Sequence, residues 1–305
     1  MAILERPGTR IRCHLFARHL VGRSSLAHLR IAELSVSAEH AVLSWNGRGW
    51  EVQDLGSRNG TSVDGRDLTP GERAPLSLGG VVAFGSAGGA FRLVDAGPPV
   101  VMALPEGGGE PVLGEDGMLA LPSGDDPEIT VYRDAAAEWI LDHEGAVERV
   151  TSGRQVAVGG RRFALYLPEL VAPTLDAAAT PLSLAAVTLA FRVSRDEEHV
   201  ELSARAGARA VDLGARAHHA VLLALSRARL GDAQAGLAES SQGWVYQEEV
   251  AQALRIDEPH VNVAVYRSRR LLAAVGILGA AGIVERRRAT RQIRIGVARI
   301  EIATI

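Results

Sequence analysis

Residues 54–65 read DLGSRNGTSVDG, and this stretch decides the fold of the first third of the chain. Asn59-Gly60 is a strong short-range signal for a tight turn between strands, because both residues tolerate positive φ. Around it lie RIRCHLF (10–16), AVLSWN (41–46), GWEVQDL (49–55), GVVAFG (80–85) and AFRLVD (90–95), which alternate or stay apolar over four to seven residues. NGRG, SRNG, VDGRD, TPGE and GSAGG break them. Many short strands at this spacing predict a β-sandwich over residues 1–97. Pro98 and Pro99 then break regular structure. Turn geometry explains Asn59 and Gly60. It leaves unexplained Arg58, and with it Ser37, His40 and the run Gly22-Arg23-Ser24 upstream.

These residues carry a resemblance. Gly22-Arg23-Ser24, Ser37-Ala38-Glu39-His40-Ala41 and Gly56-Ser57-Arg58-Asn59-Gly60-Thr61, in that order, resemble the forkhead-associated (FHA) domain. The resemblance covers about residues 10–95. It implies an all-β sandwich whose loops at one end bind phosphothreonine peptides. It further implies that Arg23 faces the phosphate or the peptide beside it, that Ser37 donates its hydroxyl to the phosphate, and that Arg58 adds a donor. Asn59 would hold the peptide main chain. Gly22, His40 and Gly60 would be scaffold, with His40 bracing the loops from inside. Ala38 departs from the pattern, since the family commonly has Arg or another polar residue there. The chemistry is coherent: a phosphothreonine carries roughly −1.5 to −2 charge and three strong acceptor oxygens, so its reader needs fixed cations and converging donors.

Composition bounds the rest. A chain of 305 residues is long for one core, so two or three domains are expected. No apolar run approaches bilayer-spanning length, and MAILERPGTR lacks the layout of a secretion signal, so no membrane partner is expected. The single cysteine, Cys13, excludes an internal disulfide framework and suits a cytoplasmic location; it reads as a small hydrophobe in a strand. The net charge of −3 hides an asymmetry: residues 200–305 hold 15 Arg against 10 acids, and residues 1–199 hold 18 against 26. There is no lysine, so every phosphate contact by a fixed cation would be made by a fork-shaped guanidinium.

Residues 98–172 read as a second, smaller β-rich module. EWILDHEG and GGRRFALYLP parallel GWEVQDLG and GGAFRLVD, which fits either a shortened second FHA-like copy or an unrelated β-module. Asp142-His143-Glu144 reads as a solvated turn rather than a metal or acid–base cluster, because neighbouring strand residues face opposite ways. APTLDAAATPLSLAA then serves as a linker.

Residues 173–305 begin with strand-like VTLAFRV, HVELSA and AVDL, then change to helical spacing in ARAHHAVLLALSRARL, YQEEVAQAL and EPHVNVAVYRSRRLLAAVG. Asp257 is the expected N-cap of the last helix, with Pro259 in its first turn. Val261, Ala264, Val265, Ser268, Leu271, Leu272 and Val275 share one face; His260, Val263, Arg267 and Arg270 share the other, flanked by Asn262, Tyr266 and Arg269. VNVAVYRSRRLL resembles the recognition helix of the winged-helix output domain of response regulators. IVERRRATRQIRIG resembles its wing, with Arg286, Arg287, Arg288 and Arg291 at or near the tip. The resemblance implies an α+β winged helix-turn-helix that binds double-stranded DNA. Arg269, Arg270 and the wing arginines would neutralise phosphates, and Asn262, Tyr266 and Arg267 would meet base edges. The usual wing glycines are absent. His218-His219 reads as structural, since consecutive helix positions do not face one ion.

No phosphate-binding loop, Cys-X-X-Cys pair or Gly-X-Ser-X-Gly elbow occurs, so an enzyme, a metal or a cofactor is not expected. The leading expectation is a DNA-binding regulator that reads a mark written by an upstream Ser/Thr kinase. The alternative is a phospho-dependent adaptor whose winged helix binds protein.

Overall fold

A computed structural model describes residues 1–85, 89–124, 126–134, 136–169, 182–207, 209–287 and 290–305. Two compact units emerge: Met1–Val100 with Tyr166–Leu175, and Val101–Leu165 with Asp176–Ile305. Much of the expected linker, 172–186, lies outside the described residues.

The first unit is a pair of antiparallel sheets with little besides. One has the strand order Arg12–His14, Ile3–Glu5, Ala90–Asp95, Val81–Phe84, Thr61–Val63, Arg66–Asp67. The other runs Leu29–Arg30, Arg18–Gly22, Ala41–Trp45, Trp50–Asp54, Arg73–Leu76, with one parallel pair at its edge. Period-two alternation points Trp50, Val52 and Asp54 inward from one strand. Trp50, Val52, Phe84, Phe91, Leu43 and Leu93 fill the space between the sheets, each at most 2% exposed. Each such side chain stabilises the sandwich by roughly 1.5–3 kcal/mol. Cys13 lies in an edge strand and is half-buried, where the sequence reads as a buried small hydrophobe. Burial pushes its thiol up to about 12, so it stays protonated.

The second unit contains two smaller four-stranded sheets. One is ordered Val112–Leu113, Met102–Pro105, Arg161–Tyr166, Gln155–Val158; the other Leu119–Leu121, Ile129–Arg133, Trp139–His143, Ala146–Arg149. A further four-stranded sheet follows, in which Arg299–Thr304 returns to pair in parallel with Thr188–Val193. Three helices come next: α1 (His219–Gln234), α2 (Gln247–Leu254) and α3 (Glu258–Ala274). The strands Val284–Arg286 and Gln292–Ile295 then pair as a hairpin, with Val245–Tyr246 on its outer edge.

Helix α3 begins as expected, with the Asp257 side chain accepting from the His260 amide and proline in the first turn. Val261, Ala264, Val265, Ser268 and Leu272 are buried, and Leu271 is half-buried. Val275 is not on the core face: the helix stops at Ala274, and Val275 is 37% exposed. His219 is buried with Nδ1 3.3 Å from Val200 O, a structural position.

Candidate functional site

At one end of the first unit the loops after Gly22, before His40 and after Asp54 are tied to one another. The Arg23 amide donates to Ser37 O (2.9 Å) and the Ser24 amide to Ala38 O (3.0 Å). Here Gly22 is required by contact: a Cβ on it would lie 2.1 Å from Ala38 O. The Arg58 amide donates to Ser37 Oγ at 3.0 Å, and Asn59 Nδ2 donates to Ser35 O at 2.8 Å. Since Ser37 Oγ accepts there, its own hydrogen remains to be donated outward.

His40 sits beneath these loops, fully buried, edge-on to Phe84. Its Nδ1 accepts the Ser37 amide proton at 3.0 Å, and its Nε2 lies 3.0 Å from Gly60 O. An amide can only donate and a carbonyl can only accept, so the ring holds its hydrogen on Nε2 and spans both loops. Gly60 has φ +77° and open space around its Cα, so it serves the turn and not a close contact.

One residue of this scaffold escaped the sequence reading. Asp54 is buried where alternation points it inward. Oδ1 accepts from the amides of Gly56 (2.8 Å) and Ser57 (2.9 Å), and Oδ2 from the hydroxyls of Ser57 (2.7 Å) and Thr61 (2.6 Å). Burial pushes its carboxyl up, but these donors outweigh burial and hold it below its ordinary value of 3.8. A turn built on an aspartate that captures amides two and three residues on was the available signal.

Above this scaffold, Arg23, Arg58 and Asn59 are exposed. Arg23 uses Nε on Val36 O at 3.3 Å, which anchors the stem and leaves the outer guanidinium edge toward solvent. Arg30, also exposed, donates Nε to Arg23 O at 3.3 Å and adds a third guanidinium nearby. The structure thus brings together Arg23, Ser37, Arg58 and Asn59 over the scaffold of Gly22, His40 and Gly60.

The residues expected to meet DNA are divided. Arg267, Arg287 and Arg291 are exposed. Arg287 stacks 4.3 Å over Trp244, and Arg291 lies 3.9 Å from Glu258. His260 is exposed with Nδ1 against the Asp257 carboxylate. Arg288 lies outside the described residues. The others are not exposed as expected. Arg269 is 1% exposed: it donates to Ala281 O (2.9 Å), Val284 O (3.1 Å) and Tyr132 Oη (3.0 Å), and pairs with Asp142 at 3.4 Å. The Arg286 guanidinium is also buried, 2.9 Å from Asp142, and donates to Gln247 and Asn262. Tyr266 is 6% exposed, Asn262 is half-buried, and Arg270 pairs with Glu115 at 3.2 Å. On the outward side of α3, His260 and Arg267 are thus exposed and the Arg270 side chain keeps 39% of its surface, whereas the flank formed by Asn262, Tyr266 and Arg269 is half-buried or buried.

The same contacts correct the reading of Asp142. It is not on a solvated turn; it is 6% exposed between two guanidiniums, while His143 and Glu144 are exposed. Among the described residues, no group of His, Cys, Asp and Glu is placed to hold a metal ion. No described helix is long and apolar enough to cross a membrane.

Comparison with known proteins agrees with the N-terminal geometry. Residues 19–85 match the FHA domain family model. The chain is 40% identical over 57 residues to the FHA domain-containing protein FhaB of Mycobacterium tuberculosis, a match spanning 19% of this chain and 37% of that relative. The FhaB of Mycolicibacterium smegmatis is 39% identical over 57 residues, again 37% of the relative's length. Among solved structures, the FHA domain of the CT664 protein of Chlamydia trachomatis aligns at 30% identity and TM-score 0.28, covering 31% of this chain and 96% of that one. An FHA domain solved in an analysis of phosphothreonine-dependent interactions aligns at 24% identity and TM-score 0.28, covering 32% and 98%. The N-terminal unit carries an FHA domain.

Proposed function

We propose that the chain is a phosphothreonine reader, without catalysis of its own, that answers to an upstream Ser/Thr kinase. The observation that carries this reading is the stitching of three loops through Ser37, whose carbonyl and hydroxyl are held by the amides of Arg23 and Arg58. That arrangement ties the Ser37 hydroxyl to the backbone of two arginines whose side chains are exposed. Charge-assisted hydrogen bonds are worth ~1.5–3 kcal/mol each, so two or three of them separate a phosphorylated threonine from a bare one by orders of magnitude. Arg23 and Arg58 take the phosphate, Ser37 donates to it, and Asn59 orients the peptide main chain.

The C-terminal part supports a further step. Three helices followed by a hairpin, with Arg267, Arg287 and Arg291 exposed, fit a winged helix that binds double-stranded DNA, and hence a transcriptional regulator. The alternative is an adaptor whose winged helix binds protein; the pairing of Arg269 with Asp142 and of Arg270 with Glu115 favours it. Retention on duplex DNA across a salt series separates the two. A regulator loses retention steeply with salt, and Arg267→Ala/Arg287→Ala weakens it. An adaptor shows no retention that those substitutions alter.

A further inference from the structure

We infer that the small β-module, residues 101–165, is a built-in surrogate for duplex DNA that occupies the Arg269–Arg286 flank of α3 and its hairpin and leaves Arg267, Arg287 and Arg291 exposed beside it. This rests on the duplex-binding reading above.

The contact has the chemistry of a phosphate site. Asp142 is the last residue but one of the strand Trp139–His143 and is fixed by the Gly145 amide at 3.1 Å on Oδ1. Its Oδ2 lies 2.9 Å from Arg286 Nε and 3.4 Å from Arg269 Nη1. One anionic oxygen held between two guanidiniums is how a backbone phosphate is held. Tyr132 completes the seat, with its ring 3.9 Å beneath the Arg269 guanidinium. At the other end Glu115 takes Arg270. Beside the Asp142 seat a cleft of about 280 Å³ is lined by Asp126, Glu128 and Glu144 from the module and by Asn262, Val263 and Tyr266 from α3. Residues 101–165 hold twelve acids against five arginines, the charge sense of a nucleic acid.

The contact is also built to separate. Its apolar seal is small: Met118, Tyr132 and Ile140, with Val147, Ala273 and Ala281 around them. The helices, the hairpin and the sheet beside them have a large core of their own, from Leu189 and Phe191 through Leu222 and Val265 to Ile293. A permanent contact is served as well or better by apolar side chains, because burying charges carries a large desolvation penalty. Two buried guanidiniums on one carboxylate make sense where an anion of another kind takes the carboxylate's place.

The test uses the full chain, the Asp142→Asn/Glu115→Gln variant and the milder Glu115→Gln alone. A mixed-sequence duplex is titrated over a salt series, and amide hydrogen exchange is followed along α3. The variant is expected to exchange faster on α3 and to bind duplex about tenfold tighter, ~1.4 kcal/mol. Its log–log salt slope should steepen by ~1.8, as Arg269 and Arg286 each gain a phosphate. Glu115→Gln alone is expected to shift both readouts in the same direction by a smaller amount. Faster exchange with duplex affinity equal to the parent's overturns the surrogate role while leaving duplex binding in place. Unchanged exchange and unchanged affinity in both variants overturn it too, because Asp142 then holds nothing shut. Faster exchange with no duplex binding by any form removes the duplex reading itself, and the surrogate with it.

Discussion

Ser37 and Arg58, 21 residues apart, are joined by a 3.0 Å hydrogen bond from the Arg58 amide to the Ser37 hydroxyl oxygen. The bond uses the Ser37 oxygen as an acceptor, keeps its hydrogen for another acceptor, and fixes the backbone from which the Arg58 side chain projects. Ser37→Ala removes both effects. Phosphothreonine-peptide affinity is expected to fall about 10–100-fold, in line with ~1.5–3 kcal/mol for a charge-assisted bond. Calorimetric titration checks it; an unaltered affinity places the phosphate elsewhere.

Gly22 and Gly60 should respond differently to the same change. In Gly22→Ala the new Cβ meets Ala38 O at 2.1 Å, and backbone must move. A loss of about 1–3 kcal/mol in stability is expected. In Gly60→Ala nothing lies within 4 Å, and only the φ of +77° resists, a penalty of roughly 1 kcal/mol. Thermal unfolding of the two variants gives the order directly, and a costlier Gly60→Ala contradicts the contact.

Asp54 gives the first unit an acid-sensitive element. Its folded carboxyl lies below the ordinary 3.8, so the native state binds fewer protons there than the unfolded chain. The stability it contributes is present in full above the unfolded value and is lost as pH falls through the folded one. Asp54→Asn is expected to be less stable at neutral pH, with the gap to the parent closing below about pH 4. Melting temperatures of both forms over pH 2–7 would show this; a constant gap would refute it.

Arg269 and Arg267, two residues apart on α3, should differ sharply. Arg269 is 1% exposed and paired with Asp142, whereas Arg267 is exposed. Arg269→Ala removes one of two guanidiniums on a buried carboxylate and leaves Ala281 O, Val284 O and Tyr132 Oη without their donor, and is expected to destabilise the second unit by about 3–5 kcal/mol. Arg267→Ala should stay within about 0.5 kcal/mol of the parent. Chemical denaturation separates them, and equal effects would mean that Arg269 is not buried in solution.

The two halves of the chain were unequally legible. In the first unit the informative residues are near one another in sequence and obey local rules: Asn59-Gly60 sets a turn, and alternation buries Trp50 and Val52. The strands Ile3–Glu5 and Arg18–Gly22 are too short or too mixed to announce themselves. Asp54 was missed because an acid ending an apolar strand reads as the start of a solvated turn. The helices of the second unit were legible from spacing, and Asp257 from its position before Pro259. The partner of the outward face of α3 was not. Arg269 meets Asp142 across 127 residues, and a basic helix face carries the same pattern whether it waits for phosphate or already holds a carboxylate.

The exposed guanidiniums of Arg23 and Arg58 are proposed to grip a phosphoryl group beside Ser37. The most direct measurement is calorimetric titration of one threonine peptide in its phosphorylated and bare forms, against the parent chain and Arg23→Ala. Saturable binding of the phosphorylated form alone is expected, weakened at least tenfold by Arg23→Ala, ~1.4 kcal/mol. Equal, weak binding of both peptides by both proteins would contradict it.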